Sequence, residues 1–288
     1  MLLAQAASGG IPVSHAIVLG ITQGLSEFLP ISSSGHLILV PWLFGWEELT
    51  GAANADLNKT FDVALHVGTI LASLVYFRND LLRFAGAALT SIRTRSVTTT
   101  DQRMAWLLLL SAIPGAIVGA GLEDFINENL GQIWLIAVML IVFGLVLLVA
   151  DRLPGDKKEG DYGPRQALGM GLAQAAALSP GVSRSGITIT AGRFLGFDRN
   201  AAARLSFLMS MPITGGAALY KGVELAVEGL PPGTAPAFFW GIVASAVTGL
   251  AAVWLVLTVV RTRSFLPFVV YRVAAGVAVL ALLASPLR

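Results

Sequence analysis

Cysteine is absent from the 288-residue chain, so neither a disulfide nor a thiolate metal site can form, and the redox compartment stays open. Charge is scarce as well. Asp, Glu, Lys and Arg make up 12% of the residues, against about 25% in a soluble domain. The net charge is only +2, and no basic patch with interleaved aromatics occurs, which argues against nucleic acid as a partner. The N-terminus, MLLAQAASGGIPVSH, has no basic n-region and too short an apolar run for a cleaved signal peptide. Targeting is expected from the first apolar segments themselves. What the chain has in quantity is apolar surface: 55% hydrophobic residues and a mean hydropathy of +0.76. This composition specifies an all-α polytopic membrane protein.

Six segments are long and apolar enough to cross a bilayer, near 60–78, 104–122, 132–150, 202–222, 236–260 and 266–286. Shorter apolar pieces lie at 14–29 and 36–46, and again at 166–178 and 186–197, each pair broken by a Ser/Gly/Pro stretch. Pieces of roughly 10–14 residues are too short to span and read as re-entrant halves. Their irregular tips are tolerated only when buried in protein or facing a water-filled cavity. Arg78, Arg83, Arg93, Arg95 and Arg103 follow the first span. Arg152, Lys157, Lys158 and Arg165 follow the third, and Arg261 and Arg263 precede the last. The positive-inside rule makes these three loops cytoplasmic. The other loops carry acids instead: Glu47, Glu48, Asp56, Glu123, Asp124, Glu128, Glu224 and Glu228.

Each half is then one re-entrant hairpin plus three spans. Three is odd, so the second half is inverted relative to the first, an inverted-topology repeat with two hairpin tips meeting near the midplane. The expected organisation is repeat one over 1–150 with its hairpin at 14–46, a cytoplasmic linker at 151–165, and repeat two over 166–288 with its hairpin at 166–197. The alternative is that each short pair is one long broken helix or a surface helix.

The two tips look like copies of each other. GITQGLSEFLPISSSGHLIL, Gly20–Leu39, and GLAQAAALSPGVSRSGITIT, Gly171–Thr190, align at an offset of 151. Gly20 then matches Gly171, Gln23 matches Gln174, Ser32 matches Ser183, Ser34 matches Ser185 and Gly35 matches Gly186. Hydrocarbon penalises such polar groups unless they line a site. Ser32, Ser33 and Ser34 read as an N-cap cluster before the apolar run Leu37–Val40, and Ser183 and Ser185 sit likewise before Ile187. Two helix N-termini with Gly35 and Gly186 would offer free amides and positive dipole ends to a phosphate. Arg184 is suited to gripping phosphate oxygens bidentately. His36, three residues after Ser33, is placed to activate a hydroxyl or protonate a leaving group. Glu27 is the one carboxylate in either motif, suited to holding a divalent cation or orienting His36.

Each group also has a plainer use. The serines can be caps alone, the histidine a satisfied structural residue, Glu27 a headgroup neighbour and Arg184 an interfacial anchor. Their co-occurrence in two related motifs favours a site. His15 and His66 are weaker candidates; His66 lies within the first span, but no motif residue pairs with it in the sequence.

EFLPISSSGHLIL and PGVSRSGITITAG resemble the two signature motifs of the undecaprenyl-diphosphate phosphatase family, the bacitracin-resistance phosphatases. The likeness continues through GTILASLVYFRNDL at 68–81, SAIPGAIVG at 111–119, SFLMSMPITGGA at 206–217 and FLPFVVYRVAAG at 265–276. The resemblance implies a multi-pass enzyme of the bacterial inner membrane with its active site opening to the periplasm. It would remove one phosphate from undecaprenyl diphosphate, recycling the lipid carrier of cell-wall synthesis, with a divalent cation such as Mg or Ca. It places Glu27 at the motif acid, Ser33 at the proposed nucleophile, His36 at the motif histidine and Arg184 at the essential arginine. Ser32, Ser34, Gly35, Ser183, Ser185 and Gly186 would surround the diphosphate. Many members carry a second Glu where this chain has Gln23, so a cation would rest on Glu27 and the neutral Gln23 amide.

In the mechanism so implied, Ser33 attacks the terminal phosphorus assisted by His36. Attack by activated water, or through phospho-His36, fits the residues too. Expected partners are a polyprenyl diphosphate and membrane lipid; a homodimer is an assembly open to the chain. The rival function is a polyprenyl-phosphate transporter or flippase without hydrolysis, since inverted repeats with broken helices are a transporter feature.

Overall fold

A computed structural model describes residues 10–50, 55–230 and 232–286. The N-terminal stretch 1–9 and the side chains of Asp56, Glu123, Asp124, Glu128, Glu224 and Glu228 lie outside the described residues. Among the described residues every regular element is helical, apart from one isolated bridge between Lys157 and Phe197. The helices are α1 (Val13–Phe28), α2 (Ser33–Phe44), α3 (Glu47–Thr50), α4 (Ala55–Tyr76), α5 (Arg78–Thr94), α6 (Thr100–Asn129) and α7 (Ile133–Arg152). They continue as α8 (Pro164–Ala176), α9 (Arg184–Phe194), α10 (Arg199–Glu228), α11 (Ala235–Val259) and α12 (Leu266–Leu283).

Four of these are long and apolar enough to cross a membrane: Thr100–Leu122 of α6, then α7, α11 and α12. At most 33% of the residues in each apolar window are buried inside the protein. Much of the rest is half-buried or exposed, with Leu145, Val149, Trp254, Val270 and Val277 open to the surroundings. In water that surface would be a liability, whereas in lipid it is the required exterior. The chain is an all-helical, multi-pass membrane protein.

Two expectations change. The segment carrying Arg78, Arg83 and Arg93 is not a loop but helix α5, bent 82° from α4 at Phe77, and the α4–α5 pair supplies a fifth candidate span only if counted together. Phe84 and Ser91 give α5 a buried face, which packs against α6, while Leu82, Leu89 and Ile92 are exposed. A helix with exposed leucines and interspersed arginines, at nearly a right angle to a span, suits the membrane interface. The span expected at 202–222 lies within α10, which is long enough but not among the four most apolar helices. Ser206, Ser210 and Thr214 lower its hydropathy, and the last two face the candidate site.

The helices around the two motifs are short: α1 has 16 residues, α2 has 12, α8 has 13 and α9 has 11. α1 packs along α11 and α8 along α6, while α7 packs along α12. The matched glycines explain the first two contacts. A Cβ on Gly20 would come within 2.4 Å of the Gly241 carbonyl oxygen, and one on Gly171 within 2.6 Å of that of Ser111. Each copy of the motif therefore uses its glycine to seat its first short helix on the other half's long helix.

The 151–165 linker is pinned by polar contacts. Lys157 and the 196–198 backbone exchange hydrogen bonds, and Lys158 pairs with Asp198 at 2.5 Å. Burial alone would raise the Asp198 carboxyl, but the Ala201 amide and Lys158 hold it below its ordinary value. A large apolar cluster containing Phe28, Phe77, Phe207, Leu208 and Val253 fills the space beneath the motifs. Phe28 and Phe207 meet edge to face at 5.5 Å. Glu27 is therefore held by a helix end that cannot shift without disturbing this cluster.

Candidate active site

The two motif tips fold alike. Ser32 is the N-cap of α2 at φ 79°, and Ser183 is the N-cap of α9 at φ 75°. Apart from Arg95, they are the only non-glycine residues of positive φ among those described. Serine tolerates this conformation here because its hydroxyl is engaged. Ser32 Oγ accepts from the Gly35 amide at 3.3 Å, and Ser183 Oγ accepts from the Gly186 amide at 3.1 Å. The amides expected to be free for phosphate are thus occupied by their own caps. Ser32 Oγ also accepts from the Gly181 amide, and Ser185 donates to the Leu29 carbonyl, so each tip is stitched to the other. Ser32, Gly35, Ser183, Ser185 and Gly186 lock the tips together, while Ser34 is half-buried and makes none of these bonds.

At the offset of 151 the partner of Ser33 is Arg184, and the two converge on one carboxylate. Ser33 Oγ donates to Glu27 Oε2 at 2.6 Å, and Arg184 Nη2 donates to Glu27 Oε1 at 2.5 Å. Gln23, one turn before Glu27, donates its amide to Oε2 at 3.2 Å. Glu27 is 7% exposed and Arg184 17%, so the pair is shielded from bulk water and strong. Arg184 Nη1 and Gln23 Oε1 are among the buried polar atoms that have no hydrogen-bond partner. Native proteins rarely bury such atoms unless a ligand or water satisfies them. A small cavity bounded by Glu27, Thr69, Ser73, Arg184, Ser210 and Thr214 lies beside them.

His36 is not in this group. Its Nδ1 donates to the Ser32 carbonyl at 2.7 Å, which leaves Nε2 to accept from the Tyr271 hydroxyl at 2.7 Å. The imidazole and phenol rings also stack. Both ring nitrogens are committed, and neither bonds Ser33 or Glu27, so the expected Ser33–His36 couple is replaced by Ser33–Glu27. The histidine near the carboxylate is His66 on α4, whose Nε2 lies 3.8 Å from Glu27 Oε2. It had no sequence partner because the contact depends on how α4 packs against α1. His15 is remote from the site, stacked on Trp46 and bonded to Glu48.

Two further residues of the site's framework, Tyr271 and Arg272, come from α12. Arg272 is fully buried. Its guanidinium donates to five carbonyl oxygens, those of Leu140, Pro30, Met139, Gly181 and Val182. Pro30 belongs to one tip and Gly181 and Val182 to the other, so one side chain fastens both. An arginine in an apolar span was the available signal. Arg272→Met is expected to melt well below the wild type and to lose turnover, because carbonyls left unpaired cost about 1–3 kcal/mol each. A thermal unfolding curve in detergent checks this; an unchanged midpoint would remove Arg272 from the framework.

A cleft of about 250 Å³, walled by Val63, His66, Leu178, Arg184, Ile213 and Ala217, shares Arg184 and Thr214 with the small cavity beside the carboxylate. It adjoins an apolar groove of about 270 Å³ that shares Val63 and Ala218 and continues along Phe238, Phe239 and Ile242.

Fold and site together define a multi-pass membrane protein whose polar centre is assembled from the tips of two pairs of short helices. The chain belongs to the bacitracin resistance protein BacA family, whose sequence pattern matches residues 16–278. Undecaprenyl-diphosphatases of Pelobacter propionicus and Geobacter sulfurreducens are similar to it at 48% and 49% identity. The alignments cover 93% and 94% of this chain and 96% and 98% of those proteins. The undecaprenyl-diphosphatase of a Nocardioides species is 44% identical over 94% of the chain.

Proposed function

We propose that the protein is an integral membrane phosphatase that hydrolyses undecaprenyl diphosphate to undecaprenyl phosphate and inorganic phosphate. The observation that carries this is the Ser33–Glu27–Arg184 contact, which joins a hydroxyl, a base and a guanidinium across 157 residues of sequence. Ser33 Oγ already points its proton at Glu27, the geometry of a nucleophile and its general base. Attack of Oγ on the terminal phosphorus breaks its bond to the bridging oxygen, so that undecaprenyl phosphate leaves, the phosphoryl group stays on Oγ and the proton passes to Glu27; water then displaces Oγ to give inorganic phosphate. Arg184, through its unpartnered Nη1, stabilises the charge that spreads over the phosphoryl oxygens. The prenyl chain occupies the apolar groove beyond the cleft. The kinship to undecaprenyl-diphosphatases favours hydrolysis over transport. Purified protein in detergent is expected to release phosphate from a prenyl diphosphate; transport between compartments with no release would support the flippase reading.

The donor set suits a divalent cation with help from the substrate. Glu27 offers one carboxylate and Gln23 Oε1 a buried oxygen without a partner, while among the described residues no three His, Cys, Asp or Glu converge on a metal-sized site. Mg²⁺ is commonly held this way, by one or two carboxylates plus phosphate oxygens and water. Bound there, it would neutralise charge on the diphosphate. Gln23→Glu is expected to keep activity and to make it more sensitive to a chelator. A second carboxylate beside Glu27 repels it unless a cation intervenes. Activity titrated with EDTA and then Mg²⁺ checks this.

The architecture supported by these features is an inverted repeat, with α1–α2 and α8–α9 as re-entrant hairpins entering from opposite faces of the inner membrane. The duplicated Ser32 and Ser183 caps and the reciprocal packing of α1 on α11 and α8 on α6 support it. The groove lies along the first halves of α4 and α11, the ends that the loop charges assign to the periplasm. Single cysteines at Trp46 and Glu47 are expected to react with an impermeant thiol reagent from outside. Cysteines at Arg95 and Lys157 are expected to react only after permeabilisation, and labelling of Arg95 in intact cells would reverse the orientation.

A further inference from the structure

A phosphoenzyme route has two displacements, and each has a proton to move. In the reading above, on which this inference rests, Glu27 takes the Ser33 proton as the phosphoryl group moves to Oγ. When water later attacks phospho-Ser33, Oγ must recover that proton, and Glu27 stands 2.6 Å away to return it. While Glu27 holds that proton for Oγ, the proton lost by the attacking water goes to a second group facing the cleft. His36 is committed at both nitrogens, and Arg184 has no lone pair to offer. The hydroxyls and amides lining the cavity and cleft, from Thr69 to Gln174, are not bases at neutral pH.

His66 meets the requirement. Its Nδ1 lies 2.8 Å from the Asp62 carbonyl oxygen one turn earlier. A carbonyl only accepts, so Nδ1 carries a proton; in the neutral form of the ring the lone pair is then on Nε2. That nitrogen faces Glu27 Oε2 at 3.8 Å, too far for a direct bond but close enough to share the space around the same phosphoryl group. The side chain is 31% exposed and walls the open cleft together with Arg184. Water reaches it there, and a proton can leave by the same route.

We propose that His66 is the general base of the hydrolytic half-reaction. Its Nε2 takes a proton from the water that attacks the phosphorus of phospho-Ser33. The water oxygen–phosphorus bond forms, the phosphorus–Oγ bond breaks, and Glu27 gives its proton to Oγ. Inorganic phosphate leaves through the cleft, and the imidazolium releases its proton to solvent. Glu27 thus serves the first displacement and His66 the second.

The test separates the two products. His66→Ala and His66→Gln are mixed with farnesyl diphosphate radiolabelled on its terminal phosphate, then acid-quenched over time. The wild type is expected to release farnesyl phosphate and inorganic phosphate in step. Both variants are expected to give one burst of farnesyl phosphate per protein, with phosphate release slowed at least about a hundredfold and label retained on Ser33. Imidazole in the buffer is expected to restore phosphate release in His66→Ala, which a merely structural role would not allow. His66→Gln keeps an amide donor for the Asp62 carbonyl and guards against misfolding of the smaller variant. Phosphate release at the wild-type rate, or equal slowing of both products without label on Ser33, overturns the proposal. If the Ser33 nucleophile itself is wrong, Ser33→Ala keeps turnover; if only the His66 role is wrong, Ser33→Ala is inactive while the His66 variants accumulate no phosphoprotein.

Discussion

Glu27→Gln is expected to lower phosphate release at least about a hundredfold while the protein stays folded. The amide keeps the shape and can still accept from Arg184 or Ser33, but it cannot take the Ser33 proton. The loss falls on turnover, because Glu27 lies under the reacting hydroxyl and not along the apolar groove. Removing the negative charge also leaves the Arg184 guanidinium without its counter-ion, and breaking a buried pair from one side costs about 3–5 kcal/mol. A melting curve of the assayed sample is therefore part of the measurement. Release within about twofold of the wild type would make Glu27 a structural counter-ion and would move the base elsewhere.

That prediction rests on a contact the sequence pointed towards but could not complete. Glu27, Ser33 and Arg184 were visible because polar groups in an apolar chain are costly and stand out. Their meeting follows from the repeat: Ser33 and Arg184 hold matching places in two copies that face each other. His36 lies apart from the Ser33–Glu27 contact because helical spacing fixes only the angle between side chains on one helix. How α2 is turned depends on its neighbours, and Tyr271, 235 residues away, captures the ring. His66 and Arg272 were hidden for the same reason, since packing of α4 and α12 decides what they reach. The long helices were legible in hydropathy alone. The bend at Phe77 was not, because neither proline nor glycine marks it, and only the alternation of buried and exposed faces along α5 records that helix.

The phosphate expectation for the tips also shows where local rules stop. A serine before a helix and a glycine in its first turn suggested open amides, yet both caps close on them. Among the protein's own groups, positive charge for an anion then comes from a side chain, and Arg184 is the arginine in contact with the carboxylate.

Arg184→Lys is accordingly expected to lose roughly 2–4 kcal/mol of transition-state stabilisation, comparable to the loss of one preorganised donor. The guanidinium divides its work: Nη2 holds Glu27 Oε1 at 2.5 Å, while Nη1 is buried with no partner. A planar fork can keep the carboxylate in place and meet a phosphoryl oxygen at once. An ammonium is a point charge on a flexible stem and must favour one of the two. If it stays on Glu27, the phosphoryl charge is unmet; if it moves to the phosphate, the base loses its alignment with Ser33. Either way the chemical step suffers, and the drop is expected in kcat with KM little changed, because the prenyl chain dominates ground-state binding. Arg184→Ala is expected to lose at least as much. Steady-state kinetics of both variants with a prenyl diphosphate decide the matter. Near-wild-type kcat in Arg184→Lys would mean that the arginine only anchors α9 to α1, and the diphosphate site shared by the two tips would have to be given up.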